Sequence, residues 1–155
     1  GYRRLDELGL LEPLGGRIDE RLDRLDSPDY RLVAAFGENV RSLPVSNRQR
    51  RYARAVLRAE PPANRSARAI HRFRRATEPW ALDALAFVGA PELAGEVEAA
   101  RAADPEAPLL RGDELGLPPG PEVGRILALI EEERAVGTIS TRDEALELAR
   151  REARR

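Results

Sequence analysis

No stretch of this chain alternates apolar and polar residues as a half-buried strand does. Its apolar residues recur at spacings of three and four, and that period points away from any sheet-based fold. Capping and breaking residues then cut the pattern into short helices. Residues 2–9 and 17–25 read as two of them. Ser27-Pro28 reads as an N-cap followed by proline at the first helical position, opening a helix to about Phe36. Ser46-Asn47-Arg48-Gln49 reads as a capping box that opens 47–59. Pro61-Pro62 ends that helix, and Asn64 caps the next, 65–77. Beyond Pro79, WALDALAFV carries a helix over 80–88, and Pro91 opens another over 91–103. Residues 104–119 are rich in Pro and Gly, with a turn at Arg111-Gly112-Asp113. Gly120-Pro121 opens a long helix to about Val136, which Gly137 stops, and a second capping box, Thr141 to Glu144, opens 141–153. The predicted fold is all-α: an irregular bundle of about eight to nine short helices in two lobes, 1–105 and 106–155.

Charge is spread unevenly along these helices. Residues 41–75 hold eleven arginines and one acid, Glu60, although an even spread of the 27 acids would place about six there. Residues 1–40 hold six arginines and nine acids, and 76–155 hold nine arginines and seventeen acids. All 26 basic residues are arginine, which a GC-rich genome explains. Such a genome does not explain the missing carboxylates.

The remaining composition narrows the chemistry. Without cysteine there is neither a disulfide framework nor a thiolate metal site. The one histidine, His71, has no neighbouring carboxylate cluster, so no metal and no catalytic residue is expected. No apolar run approaches the roughly 20 residues of a membrane span, and no signal peptide opens the chain, so a cytoplasmic protein with no membrane partner is expected. The absence of an initiator methionine points to a piece of a longer protein.

On a helical wheel, Arg48, Arg50, Arg51, Arg54 and Arg58 occupy about 160° of the 47–59 helix, and Tyr52, Ala53, Val56 and Leu57 take the rest. In the next helix Arg65, Arg68, Arg72 and Arg75 form one stripe, flanked by His71, with Ala69, Ile70 and Phe73 opposite. Like charges at i, i+4 destabilise a helix by about 0.2–0.5 kcal/mol per pair, and a polyanion would reverse that sign. Two readings follow. The arginines form a phosphate-binding surface suited to a nucleic-acid backbone, or they pair with the acidic segments 1–40 and 76–155 inside the fold. Two arginine stripes suit backbone tracking better than base reading, which speaks against a DNA-binding helical domain. A helical protein–protein module, its basic face docking an acidic partner or its own acidic tail, is the main rival.

Further along, the first-turn amides of the helix opened by Gly120-Pro121 suit an anion at Gly120, Glu122, Val123 and Gly124, unless Glu122 itself answers that positive end. Gly124, one turn in, points to close approach by another backbone or a ligand. Glu131-Glu132-Glu133 reads as a solvated face, and Trp80 and Phe87 read as core residues.

Residues 109–150, from Leu-Leu-Arg-Gly-Asp through Gly-Pro-Glu-Val-Gly to Thr-Arg-Asp-Glu-Ala, resemble the C-terminal motif of the bacterial CCA-adding tRNA nucleotidyltransferase and poly(A) polymerase family. One position departs: Glu114 stands between Asp113 and Leu115. Residues 4–14 resemble the end of that family's neck, with Gly15-Gly16 where the family often has Pro-Glu, and 31–35 and 43–47 resemble its body. The family's Gly-Gly-x-Val-Arg-Asp segment and Asp-x-Asp pair are absent. The resemblance implies the body and tail of such an enzyme, holding tRNA or other RNA. A missing catalytic head, a partner in cis, would then do nucleotidyl transfer. It implies no activity and no cofactor for the segment alone, since Mg²⁺ and nucleoside triphosphates belong to the head.

Overall fold

The computed structural model describes residues 1–155 and contains eight α-helices and no strand. They are α1 (Tyr2–Glu7), α2 (Pro28–Phe36), α3 (Asn47–Leu57), α4 (Ala67–Thr77), α5 (Ala81–Val88), α6 (Ala94–Ala102), α7 (Pro121–Ala135) and α8 (Arg142–Ala153). Short 3₁₀ turns link them. The chain is thus an irregular all-helical bundle.

Local chemistry accounts for most boundaries. Ser46 accepts the Gln49 amide at 3.2 Å while Gln49 returns its side-chain oxygen to the Ser46 amide at 3.0 Å. The same Gln49 donates to Asp29 at 3.0 Å, so the cap of α3 also ties it to α2. Thr141 and Glu144 close the equivalent box on α8. Gly137, at φ +81, ends α7 in a left-handed conformation that other residues adopt at a cost.

Three boundaries differ from the sequence expectation. Residues 17–25 do not form an α-helix: only Glu20–Asp23 turns, as 3₁₀, behind Asp19, which accepts the Arg21 amide at 2.8 Å. The cause lies upstream. A Cβ on Gly16 would come within 2.7 Å of Leu11 and 3.0 Å of Phe36, so the chain runs flat beneath them, and the Arg17 amide donates to the Ala35 carbonyl at 2.8 Å. The cap of α4 is Ser66, which accepts from Ala69 at 3.2 Å; Asn64 instead takes the Ser66 amide at 2.8 Å and sets up the turn before it. Pro91–Leu93 winds as 3₁₀ before α6 begins at Ala94.

Three apolar clusters hold the bundle. One gathers α2, α3 and the N-terminal turns around Tyr30, Val33, Tyr52 and Val56. There Trp80 meets Tyr52 edge-to-face at 5.6 Å and Phe87 meets Tyr30 likewise at 6.1 Å. A second joins α4, α5 and α6 through Ile70, Phe73, Leu85 and Val97. The third joins α7 and α8 through Ile126, Ile130, Ala145 and Leu148. No other backbone approaches Gly124, where a Cβ would meet nothing within 4 Å. A close contact occurs at Gly112, where a Cβ would press on Val123 of α7 at 3.0 Å. No helix is long and apolar enough to cross a membrane.

Candidate nucleic-acid interface

Of the face its wheel assigns to the core, helix α3 buries Tyr52, Ala53 and Val56 and leaves Leu57 half-buried. The Tyr52 hydroxyl donates to Asp83 at 2.7 Å; burial, then Asp83, pushes that hydroxyl well above the ordinary tyrosine range. The other face turns every arginine outward. Arg48 reaches Asp29 at 2.8 Å. Arg50, Arg51, Arg54 and Arg58 are exposed and make no ion pair, and apart from Arg48 no α3 arginine meets a carboxylate.

Three of these four line one cleft. Between α3 and the 3₁₀ turn Gly37–Ser42 lies a hollow of about 300 Å³, floored by Val40, Ala53 and Leu57 and rimmed by Arg41, Arg50, Arg54 and Arg58. Its one acid, Glu38, pairs with Arg41 at 3.1 Å. Residues four apart on a helix stack about 6 Å apart along its axis, so Arg50, Arg54 and Arg58 form a ladder of planar forks suited to successive phosphates. Arg41 escapes a helical-wheel search because it lies outside the helix, and only the fold brings it to the rim.

Helix α4 presents the same composition and the opposite outcome. Arg65, expected on the stripe, precedes the Ser66 cap and lies outside the helix, where it pairs with Glu96 of α6. Arg68 donates to Glu132 and, at 2.8 Å, to Glu133; Arg72 forks onto Glu132 at 2.8 and 3.0 Å; Arg75 reaches Glu131 at 2.7 Å. The glutamate triplet read as a solvated face is therefore the facing partner of the α4 stripe, because α7 packs across α4. The hydrogen bond from Arg72, helped by Arg68, holds the Glu132 carboxyl down to about 2 against the opposing effect of its burial. Arg74, which the stripes do not include, is the most enclosed member, at 12% side-chain exposure between Glu78 at 2.9 Å and Asp104 at 2.9 Å. His71 is half-buried at the same junction with an unpartnered Nε2, and burial lowers its pKa.

The α7 N-terminus keeps its amides without a side-chain cap. Glu122 turns away to Arg125 at 2.6 and 2.9 Å, and Gly120 and Gly124 are exposed, while Val123 packs inward on Gly112. This turn and the α3 cleft sit on different helices and share no lining residue. No three His, Asp or Glu side chains gather as metal ligands would.

No protein-family model, no curated protein and no solved structure matches this chain.

Proposed function

We propose that this chain binds the backbone of RNA through the outer face of α3, as the tRNA-holding part of a nucleotidyltransferase-type protein whose chemistry resides in another domain. The observation that carries this reading is the set of four exposed arginines, Arg50, Arg51, Arg54 and Arg58, that the fold leaves without any carboxylate. Sixteen of the other 22 arginines make an ion pair, and the six that do not, Arg17, Arg111, Arg134, Arg150, Arg151 and Arg154, do not line the α3 cleft. Like charges stacked along one helix repel, and an external polyanion removes that repulsion. The residues that resemble the nucleotidyltransferase tail, 109–150, support the choice of tRNA among RNAs. Recognition of this kind reads the shape and phosphates of an A-form helix rather than its bases.

The test is tRNA binding by the whole chain at about 50 and about 200 mM salt, where four phosphate contacts weaken binding roughly 100-fold. Changing Arg50, Arg51, Arg54 and Arg58 to Gln should remove most of the affinity and flatten the salt slope by about 3–4 units. Changing Arg68, Arg72 and Arg75, each already paired with a glutamate of α7, to Gln should alter the affinity by less than about threefold. Binding that polyglutamate displaces as readily as tRNA would identify an acidic protein as the partner instead. No tRNA binding at low salt would sink the RNA reading.

A further inference from the structure

The junction between α4 and α7 is built differently from the rest of the molecule. The apolar cluster of α7 and α8 draws only on residues 109–149, and the other two clusters only on residues 2–100. No apolar cluster spans the junction. Charge does: the side-chain hydrogen bonds between 1–105 and 106–155 all come from Arg68, Arg72 and Arg75 to Glu131, Glu132 and Glu133. The segment between, 103–111, has no helix or strand.

We propose that α7 is an ionic latch: its three glutamates occupy the arginines of α4 as stand-ins for phosphate, and a polyanion displaces them. The polyanion's identity as RNA rests on the reading above; the latch itself does not. Carboxylate and phosphate offer an arginine fork the same pair of acceptor oxygens, and Arg72 already makes that fork on Glu132. The surface released would be continuous with the α3 face. Arg58 lines both the α3 cleft and a neighbouring hollow of about 440 Å³, and Arg68 and Arg72 line the second. A junction closed by part-exposed ion pairs weakens as salt screens it, whereas an apolar junction does not. The acidic triplet therefore opposes weak or nonspecific anions and yields to a ligand that presents several phosphates at once.

The experiment measures the distance between the two lobes in the whole chain. With no native cysteine, Gly95→Cys on α6 and Glu147→Cys on α8 can carry spin labels; both positions are exposed, and a Cβ at Gly95 meets nothing within 4 Å. One narrow distance is expected at low salt. A longer one should grow as salt rises to about 0.5 M, and it should dominate when Glu131, Glu132 and Glu133 are all changed to Gln. Reversing the arginines (R68E/R72E/R75E) should open the lobes, and adding E131R/E132R/E133R should close them again. A single unchanged distance in both open variants, with native helicity by circular dichroism, overturns the latch.

Binding of tRNA to the triple glutamine variant then reads the ligand. Its salt slope should steepen by about 2–3 units, about 0.9 per recruited arginine. The same charge change at the exposed Glu92, Glu98 and Glu106 should leave the slope alone. Lobes that open without a steeper slope, in a chain that binds tRNA through α3, show that α7 guards no phosphate surface and overturn that half of the proposal. A latch that opens as described in a chain that never binds tRNA supports the latch and removes only the RNA reading.

Discussion

Helices α3 and α4 are each eleven residues long, each opens on a serine cap, and each carries an arginine face opposite a core face. Their arginines nevertheless end in opposite circumstances. On α4 Arg68, Arg72 and Arg75 each meet a carboxylate of α7, and Arg65, just before the cap, meets Glu96 of α6. On α3 only Arg48 does. The difference lies in neighbours rather than in the helices themselves: α4 is flanked by acidic helices, whereas the outer face of α3 looks onto solvent and onto a 3₁₀ turn whose acid is already taken by Arg41. A basic stripe therefore has no fixed meaning until its surroundings are known. One such stripe is taken up by the carboxylates of a neighbouring helix and the other is left exposed.

The sharpest break in this comparison would come from Arg74. Removing it with Arg74→Ala takes the half-buried stem and the charged hydrogen bonds to Asp104 and to Glu78, which keeps Arg101, and should lower stability by about 2 kcal/mol, measured by urea unfolding. A loss as small as that of an exposed α3 arginine would mean that the α4 network contributes little to the fold. Next comes the buried face of α3. Tyr52→Phe removes the bond to Asp83 and should cost about 1–2 kcal/mol without changing tRNA binding, which separates the two faces of one helix.

Acid should act on α4 and spare α3. The Glu132 carboxyl sits at about 2 in the fold, below its ordinary value, so its contribution is complete above about 4.5 and is lost as pH falls toward 2. Its side-chain carboxyl resonance, followed by NMR, should titrate near 2 in the native chain and move upward in Arg72→Gln. His71 acts in the same direction at milder pH. Its neutral form is favoured by burial, so the unfolded chain takes the proton first, and stability declines as pH drops below about 6.5. In His71→Gln that milder decline should vanish from the unfolding curves. The smallest effect belongs to the α3 quartet. Replacing Arg50, Arg51, Arg54 and Arg58 with Gln should leave stability unchanged or raise it by less than about 1 kcal/mol, because mutual repulsion is relieved and no pair is broken. A clear destabilisation there would show that these arginines hold the fold.

Much of the candidate site is legible along the chain. The wheel of 47–59 separates Arg50, Arg54 and Arg58 from Tyr52, Ala53, Val56 and Leu57, and all of the latter but Leu57 are buried. The wheel of 65–77 is equally clear, with Ile70 and Phe73 inside. What it omits is distance along the chain. Glu132 lies 60 residues from Arg72, and no local rule joins them. Arg41 is missed for a related reason, since it reaches the α3 cleft from a separate turn. The expected α-helix over 17–25 fails because tight packing at Gly16 overrides the local period, which is visible only once Leu11 and Phe36 are in place.

What the sequence alone determined is everything governed by nearest neighbours: the all-helical class, the two capping boxes, the stop at Gly137, and which face of each helix is oily and which is charged. These follow from hydrogen bonds and periodicities that span four residues or fewer. What only the tertiary structure decided is the use of the charge. Coulomb attraction acts through space and not along the chain, so whether an arginine is spent on a glutamate or left for a phosphate depends on which helix the fold lays beside it.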